Sequence, residues 1–282
     1  MTMNDDIQIL ENGVCYLLDN ESHTASVVAS ADGKYKGNVV IAPQVCYGGE
    51  TFIVTHIAKN AFAQCEELLS VGIPDSIDSI GWEAFCDCTG LTSIIIPDSV
   101  TTIEQRAFNG CINLASFAIP VGLTQIGEDT FHNTAWYNSQ PDGLIYINKV
   151  LYTCKGRMPS DVTIAIKQGT THIGDGAFAY QDEITSVTIP SSVTSIGKYA
   201  FAFCRALTSI TIPEGITTIE EFAFLTCTGL IAITLPKTIT HIKEESSLCL
   251  CDDLQTIYIP KGMTDHFCQI GLSAYRNKLV EM

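Results

Sequence analysis

Positive charge is scarce in this chain. Among 282 residues, 15 lysines and arginines stand against 31 aspartates and glutamates, a net charge of −16. The excess is spread along the chain rather than gathered in a tail, so its surface repels phosphate backbones and anionic lipid. Nucleic acid is therefore not expected as a partner. Long apolar runs are lacking too. None approaches the roughly 18 residues of a membrane-spanning helix, so membrane insertion is not expected. The opening Met1-Thr-Met-Asn-Asp-Asp6 has neither a basic start nor an apolar stretch and reads as no signal peptide. The chain as it stands is expected in the cytoplasm, unless an export signal has been removed. No glycine-rich phosphate loop, G-x-S-x-G elbow or H-E-x-x-H helix occurs. An enzyme is not expected, nor a cofactor.

What the chain does have is a period. Leu91-Thr-Ser-Ile-Ile-Ile-Pro97 is followed by Val100, Ile103, Phe108 and Cys111. Shifted forward by 23 it returns as Leu114 to Pro120, with Ile126 and Phe131; shifted back it is Leu68 to Pro74, with Ile80, Phe85 and Cys88. Ile-Pro steps fall at Pro74, Pro97, Pro120, Pro190, Pro213 and Pro260, and Leu235-Pro236 makes the same step. A fixed period between 20 and 29 with L-x-x-I-x-I spacing marks a leucine-rich solenoid. Each coil should hold a strand, a turn at proline, a short second extended piece and one or two helical turns. Ile57, Ile80, Ile103, Ile126, Ile173, Ile196, Ile219 and Ile242 form one inward column. Phe62, Phe85, Phe108, Phe131, Phe178, Phe201 and Phe224 form another, each preceded by alanine except for Thr130-Phe131. Acidic residues before that pair (Glu83, Glu104, Asp129, Glu221) suit the first turn of a short helix.

Twelve cysteines suggest a disulfide framework until they are set on the period. Cys65, Cys88, Cys111, Cys204, Cys227 and Cys251 each stand nine residues before a strand-ending proline, one per coil. Stacked side chains point the same way, whereas a disulfide needs converging Cβ vectors. Reduced, buried packing cysteines whose S–H reaches a loop carbonyl are expected.

The ends and one internal step depart from the period. Residues 1–54 read as an N-terminal β-hairpin cap with a first irregular rung, from Val14-Cys-Tyr-Leu-Leu18, Thr24 to Val28 and Val39 to Pro43. Residues 55–260 carry the repeats. Within them, 135–156 replace one copy with an inserted hairpin, Leu144-Ile-Tyr-Ile147 and Val150-Leu-Tyr-Thr153 around Asn148-Lys149. In the last copy Ser246-Ser247 stands for Ala-Phe, and one residue is added before Leu254. Residues 261–282 match no repeat and read as a C-terminal cap over the last coil.

Leu207-Thr-Ser-Ile-Thr-Ile-Pro213 and Ser192-Val-Thr-Ser-Ile-Gly197-x-x-Ala-Phe201-x-x-Cys204 closely resemble the repeat of BspA-type leucine-rich proteins. The Trp136 to Tyr152 segment is similar to an interruption common in that family, and the resemblance runs from about Tyr35 to the C-terminus. It implies a bacterial or protist cell-surface or secreted protein that adheres to host or matrix proteins.

Histidines 56, 172 and 241 share a column, but His172 and His241 lie three rungs apart, about 14 Å at one strand spacing per rung. Ligands of one zinc must lie about 2 Å from it, so no metal site is expected. Cys86-Asp-Cys88 and Cys249-Leu-Cys251 are C-x-C pairs with one member in the packing column. Cys154 and Cys268, the latter near His266, are the loosest candidates for a thiol nucleophile, and cap packing fits them better.

Recognition is what remains. Outward strand positions carry Ser93, Ile95, Ser116, Ser186, Thr188, Ser209, Thr211, Thr234 and Tyr258, a face of mostly small hydroxyl side chains that could receive a protein partner. Trp136, Tyr137, Tyr146 and Tyr152 form the densest aromatic group, a second candidate since aromatics are enriched at interfaces. The expected function is non-catalytic protein binding, in the resemblance's terms adhesion. The alternatives are an intracellular protein-interaction scaffold and a carbohydrate-binding module using the aromatic hairpin.

Overall fold

A computed structural model describes residues 7–31, 34–160, 162–243 and 247–282. The chain divides into two compact units, Met1–Gln140 and Pro141–Met282. Each is a stack of parallel coils. Equivalent residues 23 apart pair directly, as in Ile80 with Ile103 and Ile173 with Ile196.

In the first unit, Ile7–Glu11, Val14–Asp19 and Thr24–Val28 form an antiparallel meander. Its last strand lies parallel to Glu50–Ile57, which carries Gln44–Tyr47 antiparallel along part of its length. From His56-Ile57 the sheet continues through two-residue rungs, Ser79–Ile80, Thr102–Ile103 and Gln125–Ile126. The longer strands make the opposite side of each coil. Gly37–Val40 pairs with Leu68–Gly72, and Ser93–Ile95 with Ser116–Ala118.

The second unit opens on the hairpin Gly143–Ile147 and Val150–Lys155. Val150 and Leu151 then pair in parallel with His172 and Ile173, the first of its short rungs. Val162–Ala165, Ile184–Thr188, Ser209–Thr211, Ala232–Thr234 and Thr256–Ile259 form its long-strand sheet, which Leu279–Glu281 closes as a last parallel strand. Phe267 and Leu272, from the irregular helical segment before that strand, join the same buried cluster as Ile257 and Ile259.

Proline ends most of the long strands, having no N–H to offer the next coil. Its carbonyl instead accepts a tight turn, from the N–H of Ile77 at Pro74 (3.1 Å) and Val100 at Pro97 (3.1 Å). After Val162–Ala165 the same turn is made at Lys167, whose carbonyl accepts the Thr170 N–H at 3.2 Å. The inward columns are filled as the period requires. Leu91, Val100, Ile103, Phe108 and Cys111 are all 0% exposed. The phenylalanine rings lie face to face, 4.8 Å apart between Phe62 and Phe85, 5.0 Å between Phe85 and Phe108, and 5.3 Å between Phe108 and Phe131. Phe178, Phe201 and Phe224 repeat the arrangement in the second unit at 5.1 and 5.3 Å. Tyr35 sits 4.7 Å from Phe62 at one end of the first stack, its hydroxyl donating to the Val28 carbonyl and accepting from the Cys15 N–H.

The turns that carry these rings are not α-helical. In the coil 81–88, the N–H groups of Ala84, Cys86 and Cys88 close i→i+3 bonds within the coil. Those of Glu83, Phe85 and Asp87 donate instead to Gln105, Ala107 and Asn109 of the next coil. Alternate N–H groups can face opposite ways only if the backbone alternates too, and Glu83 and Asp87 accordingly take φ of +52° and +58°. An α-helix would aim its N–H groups along its own axis and not across to the neighbouring coil. The acidic residues ahead of the Ala-Phe pair therefore have no helix dipole to face. Glu104 uses its carboxylate to accept the Trp82 N–H at 2.8 Å.

The cysteine column completes the coil-to-coil bonding. The thiols of Cys88, Cys111, Cys204, Cys227 and Cys251 donate to the phenylalanine carbonyl of the preceding coil at 3.0–3.1 Å. Departures from cysteine mark the edges of the stacks. At that position in the first unit's last coil, Thr134 donates to Phe131 of its own coil and accepts from Tyr137, capping the helix Ala135–Ser139. In the second unit's first coil Gln181 spans to the Cys154 and Gly156 carbonyls of the hairpin at 3.1 and 2.9 Å, farther than a thiol reaches. In the final copy the order differs from the sequence reading. Ser247, accepting from Phe224, fills the alanine position and Leu248 the phenylalanine position, while Ile242 keeps the ordinary shift. The added residue therefore precedes Ser247, and Ser246 lies outside the described residues.

Two expectations follow. Phe108→Ala removes the middle of a stack and should cost about 3–5 kcal/mol through lost contacts and a residual cavity, measured by urea unfolding; a cost near zero would contradict the stacked core. Burial pushes the thiols of Cys204 and Cys154 up from an ordinary 9.0 to about 12, and that of Cys65 to about 11. Their contribution to stability is complete below the unfolded-state value and is lost as pH rises through the folded one. The urea midpoint should be flat from pH 7 to 8 and fall as pH climbs from about 9 toward 12. At pH 8 a thiol-alkylating reagent should mark exposed Cys46 at once, and Cys204 only after denaturation.

Candidate binding face

Alternation along the long strands turns every second side chain outward. In the first unit Ser93, Ile95 and Ser116 are exposed, Ile95 to 74%. The register puts Ser93 beside Ser116 and Ile95 beside Ala118, and Val40 beside Gly72. In the second unit Thr188, Ser209 and Thr211 are exposed, and Ser186, Thr234 and Tyr258 half-buried. Here Ser186 pairs with Ser209, and Thr211, Thr234 and Tyr258 follow one another across adjacent strands. Both faces are shallow: a groove lies along Ser186, Thr188, Ser209 and Thr211, and another along Ser70, Gly72, Ser93 and Ile95.

Some threonine hydroxyls beside the face are engaged. Thr185, Thr194, Thr208 and Thr240 donate to carbonyls of the preceding coil at 3.2–3.4 Å, tying coil to coil. Among the described residues, the side chains of Ser93, Ser116, Ser186, Thr188, Ser209, Thr211 and Thr234 make no hydrogen bond within the protein. Their donors and acceptors face outward and are unused.

The four aromatics grouped by sequence are divided between the units. Trp136 and Tyr137 are not on the hairpin but on the helix Ala135–Ser139. Trp136 packs 4.7 Å from Phe117 and 5.7 Å from Phe131, and Tyr137 meets His132 edge-on at 5.3 Å. The ladder of phenylalanines needs a cover where it ends, and the indole supplies it. Tyr146 and Tyr152 do lie on the hairpin strands. Tyr152 is 2% exposed, because the hairpin stands where a coil would and turns its second strand inward. The Tyr146 hydroxyl accepts the Lys167 N–H at 3.0 Å.

The histidine and cysteine candidates are separately engaged. His56 shares a 2.7 Å hydrogen bond with Ser79 and His172 one of 2.8 Å with Thr171; burial lowers the His172 pKa. His266 bonds the Ile239 carbonyl at 2.9 Å, while Cys268 accepts from Arg276 at 3.4 Å, so the two do not form a thiol–imidazole pair. Cys154 is buried. Cys86 has its thiol held near 12, by burial and then by the Asp87 carboxylate, the reverse of an activated nucleophile. Among the described residues no three histidine, cysteine or acidic side chains converge on a point where a metal could sit.

One set of surface residues escaped the sequence reading. Tyr180, Tyr199, Phe203 and Phe222 occupy left-handed turn positions, with φ between 55° and 63°. Tyr180 stacks on Phe203 at 4.6 Å and Tyr199 on Phe222 at 5.0 Å, outside the core. Their signal in the sequence is positional: they fall where other coils carry Asn60, Gln64, Glu83 or Asp87.

Among curated proteins none matches the chain. Solved structures similar to it include a leucine-rich cell surface protein from Faecalibacterium prausnitzii, 23% identical, covering 94% of this chain and 97% of that one at a TM-score of 0.36. A leucine-rich repeat protein from Bacteroides ovatus is 20% identical over 96% and 97% of the two chains, with a TM-score of 0.42. The leucine-rich repeat protein of T. pallidum is 23% identical over 91% and 92%, with a TM-score of 0.37. The family model of the BspA-type leucine-rich repeat region matches residues 55–154 and 145–279 with six copies. The chain belongs to the BspA-type leucine-rich repeat family.

Proposed function

We propose that this protein is a non-catalytic protein-binding module whose contact surface is the outward face of its long strands. The observation that carries the reading is the set of unused hydroxyls on that face, beside threonines such as Thr208 and Thr240 that are drawn into coil-to-coil bonds. A row of free donors and acceptors on small side chains lets a partner backbone approach closely. On the first unit's face Ile95, 74% exposed, adds an apolar contact. The family match is to a repeat module and points to no enzyme family, which supports binding over turnover. Adhesion to a host or matrix protein is the finer form of the reading, supported by the family resemblance. The carbohydrate alternative loses its platform, since Tyr152 is buried and Trp136 covers the end of a core stack.

Thr188→Ala should change stability by less than about 0.5 kcal/mol, as for a surface site. The purified chain and a Thr188→Lys, Thr211→Lys variant would be tested on an array of host surface and matrix proteins. At least one protein should be bound by the native chain and at least tenfold more weakly by the variant. Equal binding by both would remove the strand face as the site. Cell fractionation that finds the protein only in the cytosol would remove adhesion and leave the intracellular scaffold.

A further inference from the structure

The coils of the two units use the same left-handed turn positions, one before the Ala-Phe pair and one two residues after its phenylalanine. In the first unit these positions hold Asn60, Gln64, Glu83, Asp87, Arg106, Gly110, Asp129 and Asn133, all with positive φ. Polar side chains and glycine are what this conformation selects, and a bulky ring there is an outlier. In the second unit the same positions hold Gly176, Tyr180, Tyr199, Phe203, Phe222 and Thr226, four of the six being rings. The core does not call for them: Tyr180 is 64% and Tyr199 36% exposed, and neither belongs to the buried cluster. Leu250, at the corresponding position of a later coil, is also left-handed and 57% exposed. Phe203 and Phe222 are half-buried against their stacked partners and lie outside the buried cluster. Disfavoured backbone positions occupied by rings that reach the surface point to a use outside the fold.

We infer that Tyr180, Tyr199, Phe203 and Phe222 form a second docking surface, distinct from the strand face, for a protein segment carrying apolar side chains beside lysine or arginine. The electrostatics select that partner. Between Thr171 and Leu230 stand six acidic residues and two basic ones. Both basic side chains are already paired, Lys198 with Glu221 at 3.0 Å and Arg205 with Asp182 at 3.0 Å. Arg205 also lies 5.6 Å from the Phe203 ring, so a cation beside these rings has a precedent within the protein. The same field repels anionic lipid, and it repels a second copy of this chain at −16. Sugars stack on ring faces. Here each ring has one face covered by its stacked partner, at interplanar angles of 5° and 16°, and Arg205 lies over the Phe203 ring.

The test is selection of random twelve-residue peptides displayed on phage against the full chain. Bound pools should be enriched in leucine, phenylalanine or tryptophan flanked by lysine or arginine. Peptides synthesised from them should bind a Tyr180→Asn, Phe203→Asn variant at least tenfold more weakly, and the Thr188→Lys, Thr211→Lys variant unchanged. Asparagine suits the left-handed backbone, so the ring-to-asparagine variant should melt at or above the native temperature. A melting point several degrees lower would make the rings part of the packing and overturn the inference. So would pools without the apolar and basic pattern, peptides that bind the variant equally, or peptides lost with the strand-face variant. A dimer in sedimentation that the asparagine variant dissolves would assign the surface to a second copy and overturn it likewise.

Discussion

The structure depends on how each coil divides its backbone donors. At the turn, one N–H closes a bond within its own coil and the next reaches a carbonyl one coil on, as Cys86 and Phe85 do toward Glu83 and Ala107. Both demands are met only in a fixed register, since a buried amide left without a partner is costly. A coil one residue longer would aim every second donor at the wrong side. The period of 23 is therefore a consequence of hydrogen bonding before it is one of packing. The one extra residue near the end of the array is confined between Ile242 and Ser247, after one rung and before the next turn.

Register then fixes what the columns can hold. Identical positions fall over one another at about 5 Å, close to the spacing at which flat rings stack and thiols reach the carbonyl of the coil below. Phenylalanine meets the first condition and cysteine the second. The thiol is short enough to stay inside the coil and weak enough as a donor to share a carbonyl already bonded to a backbone N–H. Phe85, for example, accepts both the Cys88 amide and the Cys111 thiol. Such a molecule has few hollows. Its core is a set of filled files, so recognition falls to the sides of the coils.

That division explains what could be read from the sequence. The isoleucine, phenylalanine and cysteine columns repeat one residue type at one spacing, so Ile103, Phe108 and Cys111 could be placed from the chain alone. The outward placement of Ser93, Thr188 and Thr211 followed from strand alternation. The turn conformation was not legible, because an acidic residue ahead of Ala-Phe fits a helix start as well as it fits a left-handed residue such as Glu83 or Asp129. Burial at the insertion was hidden for another reason. Tyr152 and Trp136 interrupt the period, and only their neighbours in space decide that one faces the core and the other covers a stack. Nor does the period distinguish Thr208, whose hydroxyl ties two coils, from Ser209 beside it, whose hydroxyl is unused.

Two rows of side chains leave each coil, and they differ in what their composition can mean. On the strand face, serine and threonine suit an exposed strand whether or not anything docks there. Their presence carries weight only because their hydroxyls remain unengaged. At the left-handed turns the backbone itself has a preference, which the first unit follows at each of its positions from Asn60 to Asn133. A side chain that departs from that preference without entering the core is disfavoured by the fold and needs another cause. Phe203 and Tyr199 are such side chains, while Gly176 and Thr226, in the coils on either side, carry no ring. The rings thus depart from the repeat over adjacent coils of one unit, which is the distribution of a surface and not of a structural rule. In a molecule built by repetition, the positions that break the pattern against their own backbone are the ones that bear on recognition.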